Sequence, residues 1–143
     1  ILTFATNLEH IGDIVENLME MAQKKDKKRI QFSEAGLNDL TQLHEQVTEN
    51  LKLALSIFMS GDVKLARRLL AQKRQVIALE RMSADRHMAR LREGRPESIE
   101  TSALHMDILR DLKRIHSHVV AVAYPVLERA GELEALPTTS EFK

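Results

Sequence analysis

The chain has 143 residues, with 21 basic and 21 acidic side chains, no cysteine and only 3% aromatic residues. A single domain of this length can bury a substantial core, and the scarcity of aromatic residues makes that core aliphatic. The lack of cysteine excludes disulfide bonds and thiolate zinc sites. The zero net charge argues against a dedicated nucleic-acid binder. No apolar run approaches the roughly 20 residues of a membrane-spanning helix.

The first predicted helix runs from about Thr3 to Lys24. The charged segment 24–29 is then predicted to connect it to the second helix. Three- and four-residue spacings of apolar residues predict one stripe along the first helix. Its members are Leu8, Ile11, Val15, Leu18 and Ala22. Because the chain opens on Ile1 rather than methionine, we expect a segment of a longer protein.

Ser33 is the predicted N-cap of the second helix, which should extend to about Met59. Gly61 is suited to a left-handed C-cap, and Asp62 can cap the third helix. The apolar positions of the second helix are Leu37, Leu40, Leu43, Val47, Leu51, Ala54 and Leu55.

The third helix is predicted to end at Gly94, and Pro96 suits the first turn of the fourth. Pro125 should kink or end the fourth helix near Tyr124. The apolar positions of these two helices are Leu65, Leu69, Val76, Leu79, Met82 and Met88, then Leu104, Ile108, Leu112, Ile115, Val119 and Val122. Four long amphipathic helices with short connections predict an all-α, antiparallel up-and-down helix bundle.

A seven-residue segment near the start of the chain returns, altered, near its end. The segment 7–13 (NLEHIGD) aligns with 111–117 (DLKRIHS), and both keep leucine and isoleucine at matching positions. This internal repeat indicates a duplicated helical module. Glu9 and Asp13 in the first copy are one helical turn apart and face the same way, whereas the second copy has Lys113 and Ser117 there.

Four acids follow one another along the first helix: Glu9, Asp13, Glu16 and Glu20, with no lysine or arginine through residue 23. Their arc lies opposite the apolar stripe, which is typical of a solvated face. Like charges at this spacing repel by a few tenths of a kcal/mol per pair. A hard cation, a basic partner or further helices would relieve that repulsion. The residues alone favour a solvated face over a cation site.

No enzyme motif is present. The chain lacks His-Glu-x-x-His, Glu-x-x-His, a Gly-x-Ser-x-Gly elbow and a glycine-rich phosphate loop. The histidines His10, His44 and His87 are expected on polar or boundary faces. The basic third helix could contact phosphate groups or an acidic partner, although interspersed acids also fit a solvated, salt-bridged face. The candidate contact residues are Arg67, Arg68, Arg86 and Arg90.

The segment 7–13 resembles the Asp-Leu-Glu-Arg-Ile-Gly-Asp signature of PhoU-type phosphate-transport regulators. The segments 54–62, 86–94, 100–102 and 111–115, in that order, are similar to the PhoU-like C-terminal domain of bacterial Na+/phosphate cotransporter-type membrane proteins. The resemblance covers nearly the whole chain. It implies a single PhoU-like domain made of the last helix of a first repeat (1–29), a second three-helix repeat (30–136) and a frayed tail (137–143).

The resemblance also implies a metal-binding role for the acidic signature. Only Glu9 and Asp13 carry over, as candidate ligands of a divalent or ferric metal, with Glu16 and Glu20 as weaker neighbours. The substitutions at Lys113 and Ser117 leave a half-site or no metal site, so no cofactor is certain.

The function implied is a cytosolic regulatory or interaction domain, without catalytic activity, of a sodium-dependent phosphate transporter. It would lie at the cytoplasmic face of the inner membrane as a soluble domain of an integral membrane protein. The expected partners are the transmembrane part of the same transporter and a second copy of the chain, with no nucleic acid and with membrane contact only through the parent protein. The alternatives are a free-standing PhoU-like regulator of a phosphate ABC transporter and its sensor kinase, and a metal-storage or metalloenzyme bundle.

Overall fold

The computed structural model describes residues 2–131 and contains helices but no strands within that range. The helices are α1 (Leu2–Lys28), α2 (Glu34–Ser60), α3 (Val63–Arg92), α4 (Pro96–Val120) and the short α5 (Ala123–Arg129). The all-α prediction is therefore confirmed. In this part of the chain, no helix has the length and apolar character required to cross a bilayer. The predicted frayed tail, 137–143, lies outside the described residues.

The helices α2, α3 and α4 all pack against one another, and α5 returns along α3. The helix α1 packs mainly along α4. The core is aliphatic, as the composition predicts. Its largest fully buried apolar side chains include Leu43, Ile57, Leu69, Leu109 and Leu127.

The predicted helix caps are confirmed. Ser33 Oγ accepts a hydrogen bond from the Gly36 backbone N–H at 3.0 Å at the start of α2. Gly61 ends α2 in the left-handed conformation, with φ 67°. Asp62 then caps α3 by accepting from two backbone N–H groups, and Pro96 lies in the first turn of α4.

Two predicted helix boundaries are wrong. The segment 24–29 was expected to be a connection, but α1 continues through Lys28 and ends at Arg29, whose φ is 54°. Lysines are good helix formers and are favourable in the last turn, next to the negative end of the helix dipole. The fourth helix ends at Val120, earlier than expected, and Pro125 lies inside α5. Proline has no N–H to donate and its ring clashes with the carbonyl four residues back, so the chain turns near Ala121.

Several side chains predicted for the core are instead exposed. Leu8 is 39% exposed, Val15 41% and Leu37 53%, and the other exposed members of the predicted sets are Ala22, Leu55, Met82 and Met88. On α1 the reason is the small number of neighbours. Within residues 2–131, α1 packs mainly against α4, which does not cover the whole width of the stripe, so Ile11 and Ile14 are buried while the far edge of the stripe is open.

That open edge forms one wall of a long depression, called here the α1–α2 groove. Its walls come from α1 and α2, its floor comes from α4, and its volume is about 510 Å³. Lining residues include Val15, Met19, Leu37, Leu51 and Ile108.

Candidate functional site

The four carboxylates predicted to share one face of α1 are all exposed. Ile11 and Ile14, on the side of α1 that faces α4, belong to the core. The sequence expectation of an outward acidic arc opposite the buried side is therefore confirmed. We call the set Glu9, Asp13, Glu16 and Glu20 the acidic face.

Asp13 also borders a polar depression of about 200 Å³ between α1 and α4, together with His10, Asn17, Arg114 and His118. The rings of His10 and His118 stack with their centroids 5.0 Å apart. Burial, followed by electrostatic coupling to His10 and to the Arg114 guanidinium, lowers the pKa of His118. The ring of His118 is therefore neutral near pH 7 and donates its Nδ1 hydrogen to a neighbouring amide oxygen.

Glu9 does not border this depression, so the pair Glu9 and Asp13 does not converge on it. Within residues 2–131, no group of three or more histidine, aspartate or glutamate side chains is arranged to hold a metal ion. Two carboxylates fall short of the six to eight oxygen ligands that Ca²⁺ takes, so water or another molecule would have to complete the shell. Metal binding at Glu9 and Asp13, with Glu16 and Glu20 nearby, stays a prediction.

The second copy of the repeated segment makes internal contacts instead. Lys113 Nζ lies 3.8 Å from Glu80 Oε2 on α3. Ser117 Oγ donates to the backbone carbonyl of Lys113 at 3.2 Å. Both positions that correspond to the acidic pair are thus used within the bundle.

Asp111, which aligns with Asn7 of the first copy, is fully buried at the contact between α1 and α4. Asn17 Nδ2 donates to its Oδ2 at 2.7 Å. Arg114 Nη1 and Arg110 Nε lie 3.4 and 3.6 Å from its Oδ1. The carboxylate is therefore compensated by two guanidinium groups, and its amide contact joins α1 to the rest of the bundle.

The four candidate contact arginines of α3 fall into two groups. Arg67 and Arg68 are exposed in the first two turns. Arg86 and Arg90, near the other end, place Nη1 atoms 2.9 and 3.2 Å from the carboxylate of Asp39 on α2. The side chain of Arg86 is 48% exposed and that of Arg90 only 7%. Contact with phosphate groups or a partner stays a prediction, and burial makes Arg90 the least accessible of the four.

Next to Arg90 lies a buried pair of histidines. His87 and His105 are each 1% exposed, and their rings stack with centroids 4.3 Å apart. Burial, followed by electrostatic repulsion between the two rings when both are protonated and by the Arg90 guanidinium, lowers the pKa of His105 to about 4. Burial also lowers the pKa of His87, whose Nε2 lies 3.0 Å from Ser102 Oγ. Both rings are thus neutral near pH 7.

The expectation of a boundary face for His87 is wrong. Ser83 follows the buried positions Leu69 and Val76 at the same seven-residue interval, and His87 and Arg90 continue that side of α3 at spacings of four and three. The spacing can be found in the sequence, but these positions carry polar residues, and a search for apolar stripes passes over them.

These features define an all-α domain with an acidic outer helix on a three-helix core. The family model described as the PhoU domain matches residues 40–126, and the chain belongs to that family. This range begins within α2 and ends within α5.

Two relatives share more of the chain. It is 44% identical over 135 residues to a Salmonella typhimurium protein and to an Escherichia coli protein, both described as "Putative inorganic phosphate export protein YjbB". That alignment covers 94% of the chain and 25% of each relative. The chain therefore spans about a quarter of the length of these export proteins.

A more distant relative comes from Thermotoga maritima and is described as "Phosphate-specific transport system accessory protein PhoU homolog 1". It is 30% identical over 118 residues, which is 82% of the chain and 50% of that protein. No solved structure matches the chain.

Proposed function

We propose that the chain is a regulatory domain that modulates phosphate transport and does not itself catalyse a reaction. Its membership in the PhoU domain family carries this proposal. The descriptions of the relatives support the proposal. The Salmonella typhimurium and Escherichia coli relatives are described as phosphate export proteins, and the Thermotoga maritima relative is described as an accessory protein of phosphate-specific transport.

The finer form of the proposal is a cytosolic domain of a sodium-dependent phosphate transporter, at the cytoplasmic face of the inner membrane. The export proteins are the relatives that cover 94% of the chain, and three quarters of their length lies outside the alignment. That remainder is long enough to include a transmembrane part. The partner would then be the transmembrane part of the same transporter.

The mechanism we propose is charge-guided docking. The acidic face of α1 and the exposed basic residues of α3, Arg67 and Arg68 among them, are surfaces of opposite charge on one small domain. Complementary charge orients a docking partner and sets its register. Docking against the transporter, or against another copy of the chain, would couple the state of this domain to the rate of phosphate movement.

The alternative function is a free-standing PhoU-like regulator that acts on a phosphate ABC transporter and its sensor kinase. The Thermotoga maritima relative supports this alternative, because the chain aligns with half of the length of that accessory protein. The coding sequence upstream of Ile1 discriminates the two. Membrane-spanning helices there would favour the transporter domain, and further amphipathic helices alone would favour the free-standing regulator.

The test is labelled-phosphate transport by cells that produce the full-length protein with Glu9→Lys and Asp13→Lys. Regulatory coupling of ordinary strength predicts a change of at least about fivefold in the transport rate. The matched control reverses two exposed acids away from α1 and α3, Glu97→Lys and Glu128→Lys, and should leave transport as in the parent protein. Unchanged transport in the α1 variant, at equal protein level, would discard the docking mechanism.

A further inference from the structure

The outer side of α3 carries a row of exposed cations. No aspartate or glutamate occurs between residues 63 and 79. At about 100° per residue, the cations fall within an arc of about 140° that lies opposite the buried positions Leu69 and Val76. At 1.5 Å per residue, the row extends over about 26 Å of helix. Its members, called here the basic face, are Lys64, Arg67, Arg68, Arg74 and Arg81.

Most of this charge is not compensated within the bundle. Farther along α3, Arg86 and Arg90 both pair with Asp39. In residues 2–131, by contrast, four members of the basic face take part in no ion pair: Lys64, Arg68, Arg74 and Arg81. Asp85, which is exposed one turn beyond the last of them, ends the row. The positive charge of the basic face is therefore met by solvent ions or by a partner.

The acidic face of α1 is too distant to neutralise the basic face. The helix α4 contacts both α1 and α3, whereas α1 and α3 share no extensive contact. Their axes are therefore separated by more than one packing distance of about 8–10 Å, and both charged faces point outward from the core. Charges farther apart than about 8 Å are largely screened at physiological ionic strength. One side of this chain can thus act as a polycation although the net charge is zero.

The shape of the basic face fits a flat partner without deep anchors. Three exposed positions between its cations have uncharged side chains without branching or rings at the Cβ atom: Ala71, Gln75 and Ala78. No residue of α3 lines the α1–α2 groove or the polar depression at Asp13, and α3 has no aromatic residue. Protein interfaces take most of their binding energy from side chains in well-packed pockets, and single-stranded nucleic acid stacks on aromatic rings. The basic face offers charge without either feature.

An anionic membrane requires neither pockets nor rings, because its headgroups are mobile and are attracted by positive charge alone. Clusters of about four to eight lysine and arginine residues on a helix are typical of binding to anionic lipids, and the basic face has five. Met82 is 49% exposed at the end of the row. Its apolar side chain is suited to the boundary between headgroups and acyl chains.

We propose that the basic face of α3 binds the surface of an anionic lipid membrane, with α3 parallel to the membrane plane and α1 turned away from it. This inference goes further than contact with the membrane through the parent protein alone. It rests on the proposed docking mechanism, because it names the partner of one of the two charged surfaces. The test measures lipid binding without transport, so the failure of either proposal is distinguishable from the failure of the other.

The test is cosedimentation of the 143-residue chain with phosphatidylcholine vesicles, either pure or containing about one third phosphatidylglycerol. At an ionic strength of about 0.01 M, where charges are least screened, the chain should bind the anionic vesicles at least about tenfold more tightly than the neutral ones. Binding should weaken at about 0.15 M, because the Debye length falls from about 30 to about 8 Å. Equal binding to both kinds of vesicle, or binding to neither, would overturn the proposal.

A triple substitution locates the lipid contact. Each cation close to an anionic membrane strengthens binding by a factor of about five. The combination of Lys64→Gln, Arg68→Gln and Arg74→Gln should therefore weaken binding to the anionic vesicles by about a hundredfold.

The matched control removes three exposed cations from the end of α1, with Lys24→Gln, Lys27→Gln and Lys28→Gln. It changes the net charge by the same amount and should bind the vesicles as the parent chain does. Circular dichroism checks that both variants are folded. An equal or larger loss of binding in the control would show that α3 does not provide the contact, and would overturn the proposal.

An acidic protein and a nucleic acid are the competing partners for a basic surface. A helical peptide with exposed glutamates and a single-stranded oligonucleotide are each added to the vesicle-bound chain, at the same concentration of negative charge as the lipid. Neither should release the chain from the vesicles. Release by the peptide would assign the basic face to an acidic protein, release by the oligonucleotide would assign it to nucleic acid, and either result would reject the membrane.

Discussion

In the segment 7–13 on α1 the carboxylates Glu9 and Asp13 are in solvent, whereas in the matching segment 111–117 on α4 six of the seven side chains are buried or half-buried. The number of neighbours explains the difference, because α1 packs mainly along α4 while α4 is contacted by α1, α2 and α3. Most positions of a central helix contact other helices, so the copy of the segment on α4 stabilises the bundle. The outer copy keeps surface carboxylates that are free to meet a partner.

The largest expected contrast is between the aligned leucines. Leu112 is 4% exposed and Leu8 39%. Leu112→Ala should lower the free energy of unfolding by about 3 kcal/mol, because it leaves a cavity in the core. Leu8→Ala should lower it by less than about 1 kcal/mol, since less area leaves a packed environment. Urea unfolding followed by circular dichroism measures both, and equal losses would contradict the assignment of α4 to the core.

The next contrast is between His116 and its aligned residue Gly12. His116 is buried, and its Nε2 accepts a hydrogen bond of 2.8 Å from Asn50 Nδ2. Burial, followed by the charge of Lys73, lowers its pKa from 6.5 to about 4. Between these pH values the unfolded chain binds a proton at this histidine that the folded chain does not bind.

The free energy of unfolding should therefore fall by about 3 kcal/mol on account of His116 as the pH drops from 6.5 to 4, at about 1.4 kcal/mol per unit. Above pH 7 this histidine is neutral in both the folded and the unfolded chain, so its titration no longer changes the free energy of unfolding. His116→Gln should remove that part of the pH dependence, measured as the difference between the two stability profiles. Parallel profiles would show that the ring is not held neutral.

A smaller contrast concerns Asp111 and Asn7. Asp111→Asn removes a buried charge that Arg110 and Arg114 compensate, and we expect a loss of about 2 kcal/mol from the free energy of unfolding. The reciprocal change Asn7→Asp keeps an oxygen for His118 Nδ1 and should change stability by less than about 0.5 kcal/mol. Thermal unfolding of both variants measures the two changes in the free energy of unfolding. If Asp111→Asn left the stability unchanged, the structural role assigned to that carboxylate would be wrong.

The smallest expected effect is metal binding by the acidic face. Two exposed carboxylates without a third ligand should bind a divalent or ferric ion with a dissociation constant on the order of millimolar at best. Isothermal titration with Mn²⁺ should give weak heat that disappears in Glu9→Ala. Micromolar binding would show that more ligands converge there than the described residues provide.

Local signals in the sequence predicted much of the fold. Ser33, Gly61, Asp62 and Pro96 fix helix ends through contacts within a few residues, so their roles are readable without the tertiary structure. The acidic face was also readable, since the 100° step between helical residues alone places Glu9 and Asp13 together.

Contacts between distant parts of the chain could not be predicted from the sequence. The pairing of Arg90 with Asp39 joins residues 51 positions apart, and the stacking of His87 on His105 joins α3 to α4. Polar residues in a core-facing stripe look like surface residues until their partners are known. The exposure of Val15 and Leu37 has the same origin, because a periodic apolar stripe does not reveal how many helices will cover it.

The amino-acid sequence by itself determined that this chain forms long helices, where most of them begin and end, and which side of the first helix carries its carboxylates. These properties depend on backbone hydrogen bonds, caps and angular spacing within one segment. Only the tertiary structure decided which apolar edges are buried, which charges are compensated and that a groove remains between α1 and α2. Burial depends on which surfaces meet: within the described residues α1 packs mainly along α4 and leaves exposed the same kind of side chain that α4, contacted by three long helices, covers.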